Sequence, residues 1–243
     1  MPTTPDAAIL CGGFGTRLQA LNLGVPKPMV PLGGRPFLAG LIAALARQGI
    51  PRVVLCTGQG REQIREYFHC RDCGTEVLFS EETEPLGTAG ALRLALPQLR
   101  GEFVLALNGD SWAPFDCAAL LARQRATGAE IVLIAAAAAE RDDAGSLLLD
   151  ADGRVRAFAE KQALAGAPVH NAGIYLFRRE VLAAVPAGRA VSLEREILPR
   201  YLDGRMAALP AEGPLVDIGT PERLARAQAA AEHGADLFRM GAE

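Results

Sequence analysis

Near its N-terminus the sequence reads Ala7-Ala8-Ile9-Leu10-Cys11-Gly12-Gly13-Phe14-Gly15-Thr16-Arg17-Leu18, and this stretch decides the fold class. An apolar run typical of a β-strand passes directly into closely spaced glycines. In open α/β sheets, ligands bind beyond the carboxyl ends of the strands, where such loops lie. Because glycine has no Cβ, backbone N–H groups in the loop can approach phosphate oxygens closely. The stretch therefore predicts a first strand followed by a phosphate-binding loop.

The loop matches neither of two common phosphate-binding patterns. The dinucleotide pattern G-x-G-x-x-G, begun at Gly13, requires a third glycine where Leu18 stands, and the Walker pattern requires a Lys-Ser/Thr pair that does not follow. The loop instead supplies Arg17, and ten residues later Pro26-Lys27-Pro28 supplies a second cation whose backbone is fixed by two prolines. A glycine loop with two cations suits a triphosphate and a second phosphate.

Outward from this loop, strand-like apolar runs alternate with helical patterns. We predict strands over 7–10, 52–57, 76–79, 103–107 and 131–136, and helices over 36–48, 62–68, 88–96 and 117–127. Beyond about residue 140 we predict a hairpin of 147–149 with 155–158, a strand over 172–177, a short helix over 193–198, a strand end at 215–216 and a helix over 221–232. The alternation indicates an α/β fold: a single Rossmann-like, doubly wound, mixed but mostly parallel sheet with helices on both faces, in one domain over residues 1–243.

Composition excludes several classes of protein. Half of the 243 residues are hydrophobic, so the chain can bury a full core and general disorder is excluded. The net charge of −3 argues against a protein that coats nucleic acid, although it allows small anionic ligands. The longest apolar stretch, near 131–139, is far shorter than the roughly 20 residues that span a bilayer.

The N-terminal residues and the cysteines indicate a cellular compartment. No basic segment precedes the first apolar run, which is unlike a secretory signal. The cysteines are odd in number, which favours reduced thiols: Cys11, Cys56, Cys70, Cys73 and Cys117. We expect a cytoplasmic protein with no nucleic-acid and no membrane partner.

Two blocks of sequence resemble the signature of the sugar-1-phosphate nucleotidylyltransferases. They are Gly12-Gly13-Phe14-Gly15-Thr16-Arg17-Leu18 and Pro26-Lys27-Pro28-Met29. Weaker blocks follow in the order of that family, so that the resemblance runs from near residue 8 to near residue 228. They are Glu84-Pro85-Leu86-Gly87-Thr88-Ala89-Gly90, Leu107-Asn108-Gly109-Asp110, Glu160-Lys161, Asn171-Ala172-Gly173 and Val216-Asp217-Ile218-Gly219-Thr220-Pro221.

The resemblance implies a reaction and a set of site residues. A sugar 1-phosphate attacks the α-phosphorus of a nucleoside triphosphate, pyrophosphate leaves, and a nucleotide sugar forms. Arg17, Lys27 and Asp110 are implied to be catalytic. The implied nucleotide-binding positions are Leu10, Gly12, Gly13, Gly15, Thr16, Glu82, Pro85, Gly87 and Thr88. The implied sugar-phosphate positions are Asn108, Glu160, Lys161, Asn171 and Gly173. Residues 1–140 would then form a nucleotide-binding half and residues 141–243 a sugar-binding half.

Two aspartates are candidates for a Mg²⁺ site. Asp110 and Asp217 each follow a predicted strand. An aspartate at a strand end is commonly a cap or turn former. Mg²⁺, however, favours one or two carboxylates completed by substrate phosphates and water. The resemblance implies the metal role, because both positions match metal-binding aspartates of the family.

The base and the sugar are predicted less directly. Relatives that use uridine or thymidine triphosphate often carry Gln five residues before the glycine of the Pro-x-Gly block, where this chain has Glu82. A carboxylate only accepts hydrogen bonds, and guanine offers two donors together, so Glu82 or nearby Glu84 favours GTP. Leu-Cys-Gly-Gly at 10–13 and the length of the chain most resemble the D-glycero-α-D-manno-heptose 1-phosphate guanylyltransferases.

Other interpretations remain open at this point. They include a mannose-1-phosphate guanylyltransferase, a uridylyl- or thymidylyltransferase, and a non-catalytic nucleotide-sugar sensor; a homo-oligomer is also compatible with the sequence. Cys70 and Cys73 have Cys-x-x-Cys spacing, but a closed zinc site needs four ligands and no second Cys pair is present. A single tryptophan beside an apolar strand, here Trp112, more often packs than stacks on a ligand.

Overall fold

The computed structural model describes residues 4–13, 23–137, 145–160 and 169–238. In chain order the strands are β1 (Asp6–Leu10), β2 (Pro31–Leu32), β3 (Arg35–Pro36), β4 (Arg52–Thr57), β5 (Glu76–Glu81), β6 (Phe103–Asn108), β7 (Ser111–Trp112), β8 (Ile131–Ala137), β9 (Ser146–Leu149), β10 (Val155–Ala159), β11 (Val169–Arg178), β12 (Met206–Pro210) and β13 (Val216–Asp217). The helices are α1 (Phe37–Arg47), α2 (Arg61–Phe68), α3 (Gly87–Ala95), α4 (Cys117–Thr127), α5 (Arg179–Ala183) and α6 (Pro221–Glu232).

Nine of these strands form one sheet. Its order is β10-β9-β11-β6-β1-β4-β5, and β8 continues from β11 and pairs in turn with β12. The pairings of β1, β4, β5 and β6 are parallel, whereas β11 is antiparallel to its three neighbours. Only β10 and β11 therefore run against the other seven strands. The predicted mixed, mostly parallel sheet is confirmed.

Helices cover both faces of the sheet because successive residues of a strand point to opposite sides. In β1, Ala7 and Ile9 face the cluster formed with α1, α2, α4 and α6. Ala8 faces the second cluster, formed with α3 and α5. Strands buried on both faces carry continuous apolar runs, as Phe103–Asn108 does. None of the helices in the described part of the chain is long and apolar enough to cross a membrane.

Some elements escaped prediction. β12 was missed because its alanines and terminal proline have little strand propensity, and its parallel pairing with β8 stabilises it. β7 and β13 are a separate two-residue ladder, so the predicted strand end at 215–216 does not belong to the main sheet. The predicted α-helix over 193–198 is instead a π-helical turn, Leu193–Ile197, followed by a 3-10 turn, Leu198–Tyr201.

Candidate active site

The candidate site lies at the carboxyl ends of the central parallel strands. Leu10, the last residue of β1, is in register with Cys56 of β4 and Asn108 of β6. Two backbone hydrogen bonds join the residues that follow these strand ends. The Cys11 amide donates to the Cys56 carbonyl at 2.8 Å, and the Gly109 amide donates to the Leu10 carbonyl at 3.0 Å. A Cβ at Gly109 would lie 2.6 Å from the Leu10 oxygen, so only glycine fits there. This packing holds the start of the glycine loop beside the end of β6.

Lys27 is held rigidly at this edge. Residues Lys27–Met29 form a short 3-10 turn in which Pro28 and Met29 are buried. The Met29 amide donates to the Pro26 carbonyl at 2.8 Å, which fixes the turn from its N-terminal side. The Lys27 Nζ lies 2.5 Å from Oδ2 of Asp110, and the lysine side chain is only 15% exposed. The proline-flanked cation and the first candidate metal ligand are therefore in direct contact.

Asp217 is brought to the same place by the β7–β13 ladder. Asp217 is in register with Ser111, and the amide of Ile218 donates to the Asp110 carbonyl at 3.0 Å. The Asp217 Oδ1 accepts from the Gly219 amide at 2.6 Å. A Cβ placed at Gly219 would lie 2.7 Å from that oxygen and 3.4 Å from Nζ of Lys27. Lys27 and Asp217 therefore lie against Gly219, and the carboxylate of Asp110 contacts the same lysine.

One further cation in this group was not predicted from the sequence. Arg223, on the first turn of α6, places Nη1 3.5 Å from Oδ1 of Asp217. The hydroxyl of Thr220 caps the helix by accepting from the Arg223 amide at 3.4 Å. The only sequence signal was the position of this arginine three residues after a helix-capping threonine.

Glu82 lies against the start of the glycine loop. A Cβ at Gly12 would be 2.9 Å from Oε1 of Glu82, and one at Gly58 would be 2.7 Å from the same oxygen. The other carboxylate oxygen, Oε2, accepts from the Leu86 amide at 3.0 Å. Glu84, the alternative considered for base recognition, is exposed. The structure therefore brings Glu82 rather than Glu84 to Gly12.

The Pro-x-Gly-Thr block packs against a later segment of the chain. Gly87 has a φ of +70°, and a Cβ there would lie 2.6 Å from the Val191 oxygen. The Thr88 hydroxyl donates to Oε2 of Glu194 at 2.9 Å and accepts from the Leu193 amide at 2.7 Å. Pro85 is exposed on the preceding turn. Gly87 and Thr88 therefore anchor this block to residues 191–194.

The predicted sugar-side residues cluster on β11 and beside it. Gly173 has a φ of +75°, and a Cβ there would lie 2.4 Å from Nδ2 of Asn108. Oδ1 of Asn171 accepts from the Gly173 amide at 3.0 Å, and its Nδ2 donates to the Tyr175 hydroxyl at 2.6 Å. The Glu160 carboxylate lies 3.4 Å from where a Cβ at Gly145 would stand.

Tyr175 is a polar group of this cluster that sequence reasoning missed, because the predicted strand over 172–177 is otherwise apolar. Burial holds the pKa of Tyr175 well above its usual value, and the charges of Glu194 and Glu160 raise that pKa further. The hydroxyl of Tyr175 therefore stays protonated at neutral pH and keeps a proton to donate.

The thiol nearest the site is not an activated nucleophile. Burial raises the pKa of Cys11 well above its usual value, and Cys56 and Asp110 add to the effect. Burial likewise raises the pKa of Cys56 to about 12. A thiol must ionise to act as a nucleophile, so both side chains behave as small apolar groups at neutral pH.

The two aspartates suit Mg²⁺ in their chemistry. Carboxylate oxygens are the ligands that Mg²⁺ prefers, and it commonly takes only one or two from a protein. Within the described ranges, groups of three or more His, Cys, Asp or Glu side chains arranged for a metal are not found. A site that shares its metal with substrate phosphates needs no such group, so Asp110 and Asp217 fit this metal.

Four predicted site residues lie outside the described part of the chain: Gly15, Thr16, Arg17 and Lys161. Gly13, by contrast, is described, and apart from its chain neighbours no atom of the described residues lies within 4 Å of where its Cβ would stand. Trp112 is fully buried between the rings of Phe115 and Phe238, so it packs in the core.

Comparison with known proteins gives concordant results. The family model described as nucleotidyl transferase matches residues 6–234. A mannose-1-phosphate guanylyltransferase of Mycobacterium tuberculosis is 35% identical over 92% of this chain, which spans 64% of that relative's length. A D-glycero-alpha-D-manno-heptose 1-phosphate guanylyltransferase of Aneurinibacillus thermoaerophilus is 31% identical over 94% of this chain and 99% of its own length.

Solved structures agree with these relatives. HddC from Yersinia pseudotuberculosis superimposes with a TM-score of 0.82 at 29% identity, covering 93% of this chain and 98% of that one. The same protein complexed with GMP-PN gives a TM-score of 0.81. Since the family model covers nearly the whole chain and a relative above 30% identity is matched almost end to end, the chain belongs to the nucleotidyl transferase family.

Proposed function

We propose that this protein is a Mg²⁺-dependent guanylyltransferase that joins the GMP moiety of GTP to a sugar 1-phosphate. The observation that carries the proposal is the group formed by Lys27, Asp110 and Asp217, with Lys27 Nζ 2.5 Å from Asp110. A cation and two carboxylates at the end of parallel strands are suited to phosphoryl chemistry. Its relatives of both sugar classes are guanylyltransferases, which supports the choice of nucleotide.

The reaction needs no protein nucleophile. An oxygen of the sugar phosphate forms a bond to the α-phosphorus of GTP, and the bond from that phosphorus to the bridging oxygen of pyrophosphate breaks. The second pKa of a phosphate monoester is about 6, so the attacking oxygen is already ionised at neutral pH. Catalysis then depends on alignment and on stabilising charge in the transition state.

Each group of the chain has a defined task in this scheme. Lys27, fixed between two prolines, contacts the α-phosphate and the incoming sugar phosphate together. Arg17 and the amides of the glycine loop hold the leaving pyrophosphate. Asp110 and Asp217 would hold Mg²⁺, which when bound neutralises charge on the phosphate oxygens.

Glu82 is the residue proposed to recognise the base. Guanine presents the N1–H and the exocyclic amino group side by side, and a carboxylate offers two acceptor oxygens. In the structure one oxygen of this carboxylate lies against Gly12 and Gly58, at the start of the glycine loop. Uracil and thymine lack the paired donors, so we infer a preference for GTP over UTP and dTTP.

The sugar is proposed to be D-glycero-α-D-manno-heptose 1-phosphate. Glu160 and Asn171 would bind its hydroxyls, Gly173 and Asn108 would line the wall, and Lys161 would contact its phosphate. The Leu-Cys-Gly-Gly stretch at 10–13 and a heptose-class relative that is 31% identical over 94% of this chain support this choice. Mannose 1-phosphate is the second candidate, because that relative is 35% identical.

A matrix of substrates tests the proposal. Pyrophosphate release is measured with Mg²⁺ for GTP, ATP, UTP, CTP and dTTP, each against heptose-, mannose-, glucose- and N-acetylhexosamine-type 1-phosphates. We expect turnover with GTP and the manno-heptose. Turnover only with UTP or dTTP would overturn the base assignment, and turnover only with mannose 1-phosphate would overturn the sugar. Absence of turnover with every pair would favour a nucleotide-sugar sensor.

A further inference from the structure

The side chain of Phe238 is inserted into the core from the C-terminal segment that follows α6. It is only 3% exposed, and its ring centroid lies 5.0 Å from that of Phe37. A Cβ at Gly40, in the middle of α1, would stand 2.2 Å from the Phe238 ring. Glycine destabilises the interior of a helix, because it loses more conformational entropy than other residues. At this position the missing side chain leaves the slot that the Phe238 ring occupies. The backbone is fixed as well, because Nη2 of Arg47 donates to the Phe238 carbonyl at 2.5 Å.

The inserted ring packs against Trp112. The centroid distance between Phe238 and Trp112 is 6.3 Å, and that between Phe115 and Trp112 is 5.4 Å. The Trp112 Nε1 is buried and has no hydrogen-bond partner among the described residues. A buried tryptophan usually anchors its ring through this N–H group. Here the orientation of the indole depends on its neighbours, Phe115 and Phe238 among them.

Trp112 belongs to the ladder that assembles the carboxylates. It is in register with Val216, and the next pair of the ladder is Ser111 with Asp217. Asp110 directly precedes the ladder, and its carbonyl accepts from the Ile218 amide at 3.0 Å. Any displacement of Trp112 therefore moves the two-residue strand that directly follows Asp110 and pairs Ser111 with Asp217.

We propose that Phe238 is a positioning residue for the Asp110–Asp217 pair, acting through Trp112. The proposal rests on the proposed function, in which this pair holds Mg²⁺. In this proposal Phe238 fixes the indole and, through the β7–β13 ladder, the placement of the two carboxylates. Groups that orient metal ligands from outside commonly change metal affinity or activity about 10- to 100-fold when removed.

The first test compares Phe238→Ala with Phe68→Ala. Phe68 is equally buried, at 3% exposure, and lies at the C-terminal end of α2 in the same core cluster. Binding of Mn²⁺ in the presence of inorganic pyrophosphate is measured by equilibrium dialysis, as the excess of Mn²⁺ in the protein chamber. We expect the half-saturating Mn²⁺ concentration to rise about tenfold in Phe238→Ala and to stay within about twofold of wild type in Phe68→Ala.

Trp112 supplies a direct readout of the packing. It is the only tryptophan of the chain, so the emission spectrum reports on this indole alone. We expect a red shift and a weaker near-ultraviolet dichroism signal in Phe238→Ala, with neither change in Phe68→Ala. Phe238→Leu keeps an apolar side chain in the slot, so Mn²⁺ binding should recover most of its wild-type strength.

Gly40→Ala examines the slot from the other side and does not depend on whether Phe238→Ala folds. The added methyl group displaces the Phe238 ring, so the single variant should show the same loss of Mn²⁺ binding. In combination with Phe238→Ala, Gly40→Ala should cause no further loss, because the two changes remove the same contact.

Mn²⁺ binding separates this inference from the proposed reaction. Unchanged Mn²⁺ binding in Phe238→Ala and Gly40→Ala, with the Trp112 emission shifted, would overturn the positioning role. Equal losses in Phe238→Ala and Phe68→Ala would also overturn it, since they would reflect general destabilisation. Failure of the proposed function would appear instead as wild-type protein that binds Mn²⁺ with pyrophosphate yet turns over no substrate pair.

Discussion

Replacing Asp110 by asparagine is the sharpest test of the active-site group. The substitution keeps the shape of the side chain and removes its charge, and the amide oxygen of asparagine still accepts a hydrogen bond from Lys27 Nζ. The Asp110 side chain is 35% exposed, so solvent screens the ion pair and its loss should cost about 1 kcal/mol of stability or less. We therefore expect Asp110→Asn to fold with a nearly unchanged melting temperature.

Activity should respond far more strongly than stability. Removing one preorganised charged or dipolar group from an active site costs about 3 kcal/mol of transition-state stabilisation, which corresponds to a rate loss of at least about 100-fold. Pyrophosphate release at saturating substrates measures this loss, and circular dichroism confirms the fold. Asp152→Asn, in the exposed turn between β9 and β10, is the matched control and should leave the rate unchanged. A rate for Asp110→Asn within about threefold of wild type would refute the assignment of this carboxylate to the reaction.

Two further substitutions and one labelling experiment test other parts of the structure. Glu82→Gln should lower kcat/KM for GTP by about 10-fold or more, because the amide offers one acceptor oxygen in place of two. Measuring kcat/KM for both GTP and UTP gives the change in preference, and an unaltered GTP-to-UTP ratio would contradict the base assignment. Gly173→Ala should destabilise the fold, because φ is +75° and the new methyl group would lie 2.4 Å from Nδ2 of Asn108; calorimetry that finds no fall in melting temperature would count against this geometry. Burial raises the pKa of Cys56 and that of Cys117 to about 12. Both thiols should therefore resist a thiol reagent at pH 8 in the native protein and react once the protein is unfolded. Rapid labelling of either thiol in the native protein would show that it is not buried.

The sequence predicted the sheet well because its signals are local. The apolar runs of β4 and α4 begin and end at the predicted residues, Arg52–Thr57 and Cys117–Thr127. Asp116 at the N-cap and Gly128 at the C-cap of α4 are recognisable in the sequence itself. β12 has no such signal, and its existence depends on hydrogen bonds to β8, which lies far away in the chain.

The site was predicted in part for the same reason. Lys27, Asp110 and Asp217 stand in recognisable motifs, and the structure brings these three together. Arg223, Glu194 and Tyr175 stand in no motif, and their relation to the site follows from how α6, β11 and the segment after α5 pack. The sequence also left open the choice between Glu82 and Glu84, and the structure places Glu82 against Gly12.

The sequence by itself determined the class of fold, the glycine loop and the identity of the charged groups at strand ends, because periodicity, glycine spacing and proline positions act over a few neighbouring residues. Only the packing of the whole chain pairs Asp217 with Ser111, directly after Asp110, and inserts Phe238 into the slot at Gly40 beside Trp112. Such contacts join residues more than a hundred positions apart. Their energy arises from packing and desolvation when the whole chain has folded, and no local pattern encodes it.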